Sequence, residues 1–416
     1  MAKSKFEYVR AFEGPDDLFP QSWIIISLAE VKLSTNLSHW RNNYINMLRH
    51  SSQEVMHMFK DIKFAYISND CVHFVLNKDT TLYKRRHYKL LTYLTSAVTG
   101  FFTNNLCKQS GILEVPCFVG TLYLLISDQL LRDYFTHYQH KHHISNLRNT
   151  LLLASYDAGL PIEKSKVDSM TESDINENLF SHFGKNYTNE PTILKRGLVL
   201  ARVKSLKIIE SSDIKNKSKS NSSVIEMDSI EFKNDYLWES VLYLSTQFNK
   251  KSVINNLFKN FEIKKPLMFH SWHIVRLDGK AFHEFSQIHG FTKPNDVRAL
   301  HLMNIAACDV MKEYSNIKLS YGESDEYSFV FDRYKMIGKE CIDGNILSSK
   351  CVSIFTASYV ANWHKIFGND SSNDCPIAKY YPDVEFSVEN IEETSLQKVP
   401  AFDGRIVSYP TNSNLR

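Results

Sequence analysis

The chain has 416 residues, 43% of them hydrophobic and 12% aromatic, with a formal net charge of only +3 from 49 basic and 46 acidic side chains. That length exceeds one average core and predicts two or more domains of a folded, soluble protein. The near-balance of charge excludes any bulk electrostatic case for a nucleic-acid partner, so a basic footprint has to be local.

In chain order, the first stretch, "MAKSKFEYVRAFE", has no apolar core, and no secretory signal is expected. The most apolar run, "FVGTLYLLISDQLL", is interrupted by Asp128 and is too short to span a bilayer, so no membrane partner is expected. Seven cysteines show no CxxC or Cys/His pairing, which fits free thiols in a reducing, intracellular compartment, cytoplasmic or nuclear. "YKRRHYK" reads either as a solvated helix start or as a salt-sensitive grip on nucleic acid. "HYQHKHH", His137 to His143, has poor ligand spacing and no carboxylate partners, so zinc is not expected there.

Four words recur in the same order along the chain. "FEGPDDLFPQSW" ends at Trp23 and "FEIKKPLMFHSW" at Trp272; each runs Phe-Glu, nine residues, Trp. "WIIISLAE" then matches "WHIVRLDG", "DIKFAYISNDCVHFVL" matches "NIKLSYGESDEYSFVF", and "VPCFVGTLYLL" matches "VPAFDGRIVSY". The pattern predicts two copies of one domain, at about 4–205 and 252–416. Between them lies "SSDIKNKSKSNSSVIEMDS", whose Lys, Ser and Asn predict a flexible linker over 206–251. A second biased insert, 368–398, carries several acidic residues and reads as a surface loop.

In the second copy "HIVRLD" predicts a buried strand ended by Gly279. Pro294 with Asn295 or Asp296 makes a helix start, and Val297, Leu300, Met303, Ala307, Val310 and Met311 recur at helical spacing through Tyr314. "IKLSY" and "EYSFVFD" flank a turn-prone "GES" and predict a hairpin. The order predicts an α+β fold: a mostly antiparallel sheet with helices on one face.

Asp278 falls at the end of the first strand, and Asp325 and Glu326 at the hairpin tip. If those strands are neighbours the carboxylates converge, and their mutual repulsion raises their pKa values. Hard divalent cations relieve that repulsion, Mg²⁺ commonly through one or two carboxylates plus substrate phosphates. Two such ions can activate a hydroxyl and stabilise a leaving oxygen in phosphoryl displacement. Gly279 fits, because a residue without a side chain lets the backbone approach an ion or phosphate. Alone, an Asp-Gly at a strand end is an ordinary turn; the combination with "KPND" and "SDE" is what carries information.

"HIVRLDGKAFHEFSQIHGFTKPNDVRALHLMN", "YGESDEYSFVF", "TASYVANW" and "PAFDGRIVSYP" resemble the tRNA-histidine guanylyltransferase family. In the first copy "SKFEYVRAFE", "YKRRHYKLL", "HHISNLRNTLL" and "NYTNEPTILKRGLVL" resemble further blocks of it. The resemblance implies palm domains like those of polymerases and nucleotide cyclases. It also implies 3′-to-5′ addition of guanosine to the 5′ end of histidine tRNA. ATP would adenylylate the tRNA 5′-phosphate, the 3′-hydroxyl of GTP would displace AMP, and pyrophosphate would be removed, with two Mg²⁺ ions serving the transfers. Carried over residue by residue, Asp278, Asp325 and Glu326 are the implied catalytic acids, with Asp278, Asp325 and the Gly279 backbone as metal ligands. Lys280, Ala281, Phe282 and His283 match the loop around the nucleotide, and Ser324 lines its site. Lys293, Asn295, Asp296 and Arg298 match a polar block near the phosphates. Lys293 and Arg298 can neutralise phosphate oxygens, and a helix start offers free amides. Each also has a plainer reading: His283 packed, Arg298 a solvated helix charge, Asp296 a simple N-cap.

The copies depart from each other. Ala29 and Glu30 stand where Asp278 and Gly279 stand, and Asn69, Asp70 and Cys71 replace the Ser-Asp-Glu triplet. "FVGT" replaces "FDGR". The first palm (1–127) is therefore expected to be catalytically dead, and the second (252–416) to be the active one. A helical tail, 128–205, follows the first copy only, with His143, Asn146, Asn149, Asn186, Tyr187, Asn189, Lys195 and Arg196 in matching blocks. The first copy also keeps Lys84, Arg85, Arg86 and Lys89, which the second replaces. Either the copies form an internal pseudo-dimer in which each supplies what the other lacks, or the second is a decaying product; assembly from identical chains is also expected from the family. Repair of other tRNA 5′ ends and a non-catalytic tRNA-binding scaffold are the competing functions.

Overall fold

The computed structural model describes residues 12, 14–31, 40–68, 71–110, 116–205, 221–228, 230–242, 244, 257–334, 343–368 and 395–412. Asn69, Asp70 and most of the 368–398 insert lie outside the described residues.

The first half runs β1 (Trp23–Glu30), α1 (Trp40–Met58), β2 (Ile62–Ile67), β3 (Cys71–Leu76), α2 (His87–Ser110) and β4 (Phe118–Leu125). Helices α3 (Asp128–Asp157), α4 (Lys164–Asp168), α5 (Glu172–Phe183) and α6 (Thr192–Arg196) follow, then β5 (Leu198–Ser205) and β6 (Asn221–Asp228). The second half runs β7 (Trp272–Gly279), α7 (Phe282–Ile288), α8 (Val297–Glu313), β8 (Ile317–Glu323), β9 (Glu326–Phe331), α9 (Gly344–Ala361), α10 (Trp363–Phe367) and β10 (Phe402–Tyr409). Two antiparallel sheets result, ordered β4-β1-β3-β2-β5-β6 and β10-β7-β9-β8. Their first four positions repeat one plan, last-first-third-second. The structure thus combines antiparallel sheets with helices, as the strand and helix patterns predict.

Sequence alternation explains which faces are covered. "WIII" in β1 is apolar at every position, as a strand buried on both faces must be. Ile24, Ile26 and Leu28 pack with α1 and α2, while Trp23 and Ile25 pack under Tyr134 and Phe135 of α3 and under Phe232 and Trp238. "WHIVRLDG" in β7 alternates, and burial alternates with it. Val275 and Leu277 join α8 and α9 in the second core, leaving Arg276 and Asp278 on the other face.

The halves join through α2 against α9. Ser96 Oγ lies 2.7 Å from Thr356 Oγ1, Thr99 Oγ1 2.9 Å from Ser353 Oγ, and His87 Nε2 2.6 Å from Asn345 Oδ1. Each helix also serves the other half's sheet. Phe118 and Gly120 of β4 donate to Ser353 and Ser349 (2.8 and 2.9 Å), and Phe402 and Gly404 of β10 donate to Ser96 and Thr92 (both 2.8 Å). All of these groups are buried, so an unmade bond here would cost about 1–3 kcal/mol. Gly100 lets α2 seat against the segment leading into β10: a Cβ there would stand 2.6 Å from Val399 Cγ1 and 3.2 Å from the Pro400 carbonyl.

The linker expected over 206–251 is corrected for its described part. β6 pairs along the whole of β5, Arg49 of α1 reaches Glu226 at 3.3 Å, and Phe232 and Trp238 are fully buried. Local composition does not report that β5 would otherwise present bare backbone groups, which β6 satisfies. Among the described residues no helix is long and apolar enough to cross a membrane.

Candidate active site

The end of β7 gathers acids from three neighbouring strands. Asp278 sits opposite Asp403 on β10 and opposite Glu326 on β9, so the three side chains share a face. Asp325 joins them from the two-residue turn between β8 and β9: its carbonyl accepts from the Gly279 amide at 3.0 Å. A Cβ at Gly279 would fall 2.9 Å from Asp325 Oδ2 and 2.4 Å from the Phe282 ring, so only glycine lets the turn close on β7. Burial, then the charges of Asp403, Glu326 and Asp325, push the Asp278 carboxyl above its ordinary value, and Arg276 opposes them. Two of the acids already hold cations: Lys89 reaches Asp403 at 3.1 Å, and Arg276 pairs with Glu326. Among the described residues Asp278 and Asp325 form no salt bridge. Nor, among those residues, do three or more His, Cys, Asp and Glu side chains stand gathered as a ready-made metal cage. The donors nearest that role are hard oxygens, two carboxylates beside one open backbone, which is the set Mg²⁺ takes when water and phosphates complete its shell.

Two clefts flank these acids. The larger, about 420 Å³, is lined by Phe282, His283, Lys293, Asn295, Asp296, Ser324 and Asp325. Its backbone is strained at two edges: Ala281 and Ser324 hold φ values of 53° and 57° without being glycine. Asp296 caps α8, accepting from the Arg298 amide at 3.0 Å and from Thr292 at 3.1 Å. Burial alone would raise its carboxyl, but Arg298 and the two amides outweigh burial and lower it. Arg298 departs from the phosphate-neutralising reading. Its guanidinium is held on Asp296 at 2.8 Å and stacks over Phe367 at 4.9 Å, and it does not line the cleft. Lys280 also turns away, its ammonium lying over the Tyr83 ring of the first half at 5.2 Å.

The smaller cleft, about 220 Å³, lies between the halves. Arg86 comes from just before α2, Tyr88 and Lys89 from its first turn, and Arg276, Asp278, Asp403 and Arg405 from the second sheet. The basic block of the first half thus does reach the acids of the second, though not as a unit. Arg85 is buried and donates to the Ser22 carbonyl at 3.1 Å, a structural post. His143 stays in the first half beside Glu172 and Tyr187. Sequence reasoning missed Asp403, Arg276 and Arg405 as site residues. The alternation of "FDGR" and "VRLD" was the available signal, because it puts all three on the Asp278 face.

In the first sheet the same register pairs Ala29 with Cys71 and with Val119. All three acids of the row across Asp403, Asp278 and Glu326 are thus absent from its counterpart.

Comparison with known proteins identifies the family the chain resembles. The family model for tRNAHis guanylyltransferase matches residues 6–125 and 255–410, and that for the Thg1 C terminal domain matches 129–237. "tRNA(His) guanylyltransferase 1" of Arabidopsis thaliana is 27% identical over 99% of this chain and 71% of its own length. "Probable tRNA(His) guanylyltransferase" of Drosophila melanogaster is 35% identical over 49% of this chain and 74% of its own. Among solved structures, tRNA(His) guanylyltransferase from Saccharomyces cerevisiae is similar at 26% identity and TM-score 0.43, covering 47% of this chain and 93% of that one.

Proposed function

The chain belongs to the tRNAHis guanylyltransferase family, which makes it a nucleotidyltransferase, and from that premise we propose that it adds a guanosine nucleotide to the 5′ end of histidine tRNA. In this reading the halves are copies of one palm, divided at about 127/128 and 252, and only the second is catalytic. The observation that carries it is the placement of Asp278 and Asp325. Asp278 lines the smaller cleft, Asp325 the larger, and the Gly279 backbone joins them.

The larger cleft takes the guanine nucleotide. Phe282 and His283 offer ring surface, and Lys293 with the start of α8 faces the phosphates. The smaller cleft takes the RNA 5′-phosphate, with Arg86, Lys89, Arg276 and Arg405 as its cationic walls. Once the 5′-phosphate carries AMP from ATP, the GTP 3′-oxygen bonds to that phosphorus as the bond to AMP breaks, and the hydroxyl proton leaves with solvent. Asp278, Asp325 and the Gly279 carbonyl would hold Mg²⁺, which when bound favours the ionised hydroxyl and stabilises the leaving oxygen. The left-handed backbone at Ala281 and Ser324 is a local cost that the packing around the cleft offsets.

The test is incubation of the full chain with 5′-phosphorylated histidine tRNA, ATP and labelled GTP, with and without Mg²⁺. Incorporation only with Mg²⁺ and ATP is the expected outcome. Label entering other 5′-truncated tRNAs equally well would turn the reading to general 5′-end repair, and no incorporation under any condition would leave a tRNA-binding scaffold.

A further inference from the structure

Between β3 and α2 the chain passes through Tyr83, Lys84 and Arg85, three successive residues with φ values of 49°, 54° and 56° and no glycine among them. A residue with a Cβ enters that left-handed region at a cost, and a run of them persists only where surrounding contacts hold it. Arg85 supplies the hold. It is buried and donates to the carbonyls of Lys78 and Ser22, both at 3.1 Å, and its own carbonyl accepts from the Leu18 amide at 3.0 Å. What the turn presents is Tyr83. Its half-buried ring meets Tyr93 edge to face at 5.5 Å, and two ammonium groups lie over it: Lys89 of its own half at 5.6 Å and Lys280 of the other half at 5.2 Å.

That shared ring decides which cleft Lys280 serves. Lys89 lines the smaller cleft and reaches Asp403, which lines it too. Lys280 does not line the larger cleft, although its neighbours Phe282 and His283 do. A ring face attracts a cation and fixes its place while leaving its N–H donors outward. Among the described residues Lys280 forms no ion pair, whereas Lys89 is already matched by Asp403, so the charge of Lys280 is open to an incoming anion. We propose that Tyr83 is a positioning residue for RNA: it holds the Lys280 ammonium beside Lys89, where the lysine meets the phosphates of the RNA 5′ end rather than the nucleotide in the larger cleft. The inference rests on the reading of the smaller cleft as the RNA phosphate site and adds a cation at its rim. The ring comes from the first half and the lysine from the second, so the arrangement exists only where the halves meet. A Tyr83 that merely filled space beside Tyr93 would affect melting and leave substrate preference alone.

The experiment is equilibrium binding of histidine tRNA, with and without its 5′-phosphate, to the full chain, with GTP affinity and melting curves measured on the same samples. The wild type is expected to favour the phosphorylated RNA. Tyr83→Leu and Lys280→Met should each reduce that preference by about 5- to 10-fold, and the double variant no further than Lys280→Met alone, while GTP affinity stays within about twofold. Tyr83→Phe keeps the ring face and should bind as the wild type does. Lys280→Met should also flatten the salt dependence by about one unit of slope. In a second arm, without RNA, acylation of lysines read by mass spectrometry should rise at Lys280 in Tyr83→Leu and not in Tyr83→Phe. An unchanged preference in Tyr83→Leu, or a loss of GTP affinity in Lys280→Met, would overturn the proposal. Should Tyr83→Leu fold poorly, an unchanged preference in Lys280→Met overturns it alone. A wild type that binds both RNAs alike would instead overturn the reading of the smaller cleft, and the proposal with it.

Discussion

Trp23 and Ile25 on β1, and Trp272 and Ile274 on β7, hold matching places in two sheets of matching strand order, yet their surroundings are opposed. The first pair is 4% and 0% exposed beneath α3 and Trp238. The second pair is only half-buried, on a face shared with Arg276, Asp278, Asp403 and Glu326. A sheet covered on both sides can hold apolar side chains and little else. A sheet open on one side can keep ionised groups wet enough to meet a charged substrate. The difference teaches that cover decides composition: the closed sheet is apolar on both faces, and beside the open one stand Arg86 and Lys89 of the first half.

The comparison breaks most sharply at the acids. Asp325→Ala should lower guanylyl transfer by about a thousandfold, the scale of several kcal/mol of lost charge stabilisation, with tRNA binding kept. Cys71→Ala, at the place of Glu326 in the first sheet, should leave the rate within about twofold, since surface and half-buried sites outside the chemistry rarely matter more. Equal losses would mean that both sheets work.

The pair of cations across the interface gives a smaller effect. Arg86→Ala/Lys89→Ala should weaken use of 5′-phosphorylated RNA by about 10- to 100-fold in kcat/KM, mostly through KM, and flatten its salt dependence by about two units of slope. An unchanged salt slope would show that the smaller cleft does not hold the RNA phosphate.

Stability should separate the two faces as well. Ile25→Ala, under α3, should cost about 2–5 kcal/mol in urea unfolding, and Ile274→Ala, on the open face, less than about 1.5 kcal/mol. If both cost the same, the open face is covered in solution.

The smallest effect concerns the joint. Burial holds His87 neutral, its pKa lowered to about 4, with the Asn345 hydrogen bond only partly opposing and Lys265 adding to the lowering. Free histidine titrates near 6.5, so on acidification the unfolded chain takes up a proton before the folded one. Stability should be level above about pH 6.5 and decline towards pH 4, and His87→Gln should lessen that decline. A urea midpoint that does not fall between pH 7 and pH 5 would contradict this.

Much of the site was legible because its parts are local. "HIVRLDG" alternates and stops at Gly279, "KPND" opens α8 at Asp296, and "GESDE" turns the hairpin, each within a few residues. What could not be read is what depends on packing over long separations. Asp403 joins Asp278 from 125 residues away, by a register that only the folded sheet defines. Arg86 and Lys89 reach the acids because α2 lies on α9, and nothing in "YKRRHYK" says which of its four cations is buried. Nor does the sequence show that Arg298 pairs with Asp296, two residues away, and stays out of the cleft lining. β6 was hidden by Ser- and Asn-rich flanks that describe solvation, not the edge it fills.

The account is tested most directly by single-turnover incorporation of labelled guanosine nucleotide into 5′-adenylylated histidine tRNA by Asp278→Asn, with RNA affinity measured on the same sample. That substitution keeps size and removes one charge from the acid row. The prediction is wild-type affinity with transfer lost to background in Mg²⁺; transfer at the wild-type rate would place the chemistry somewhere other than the end of β7.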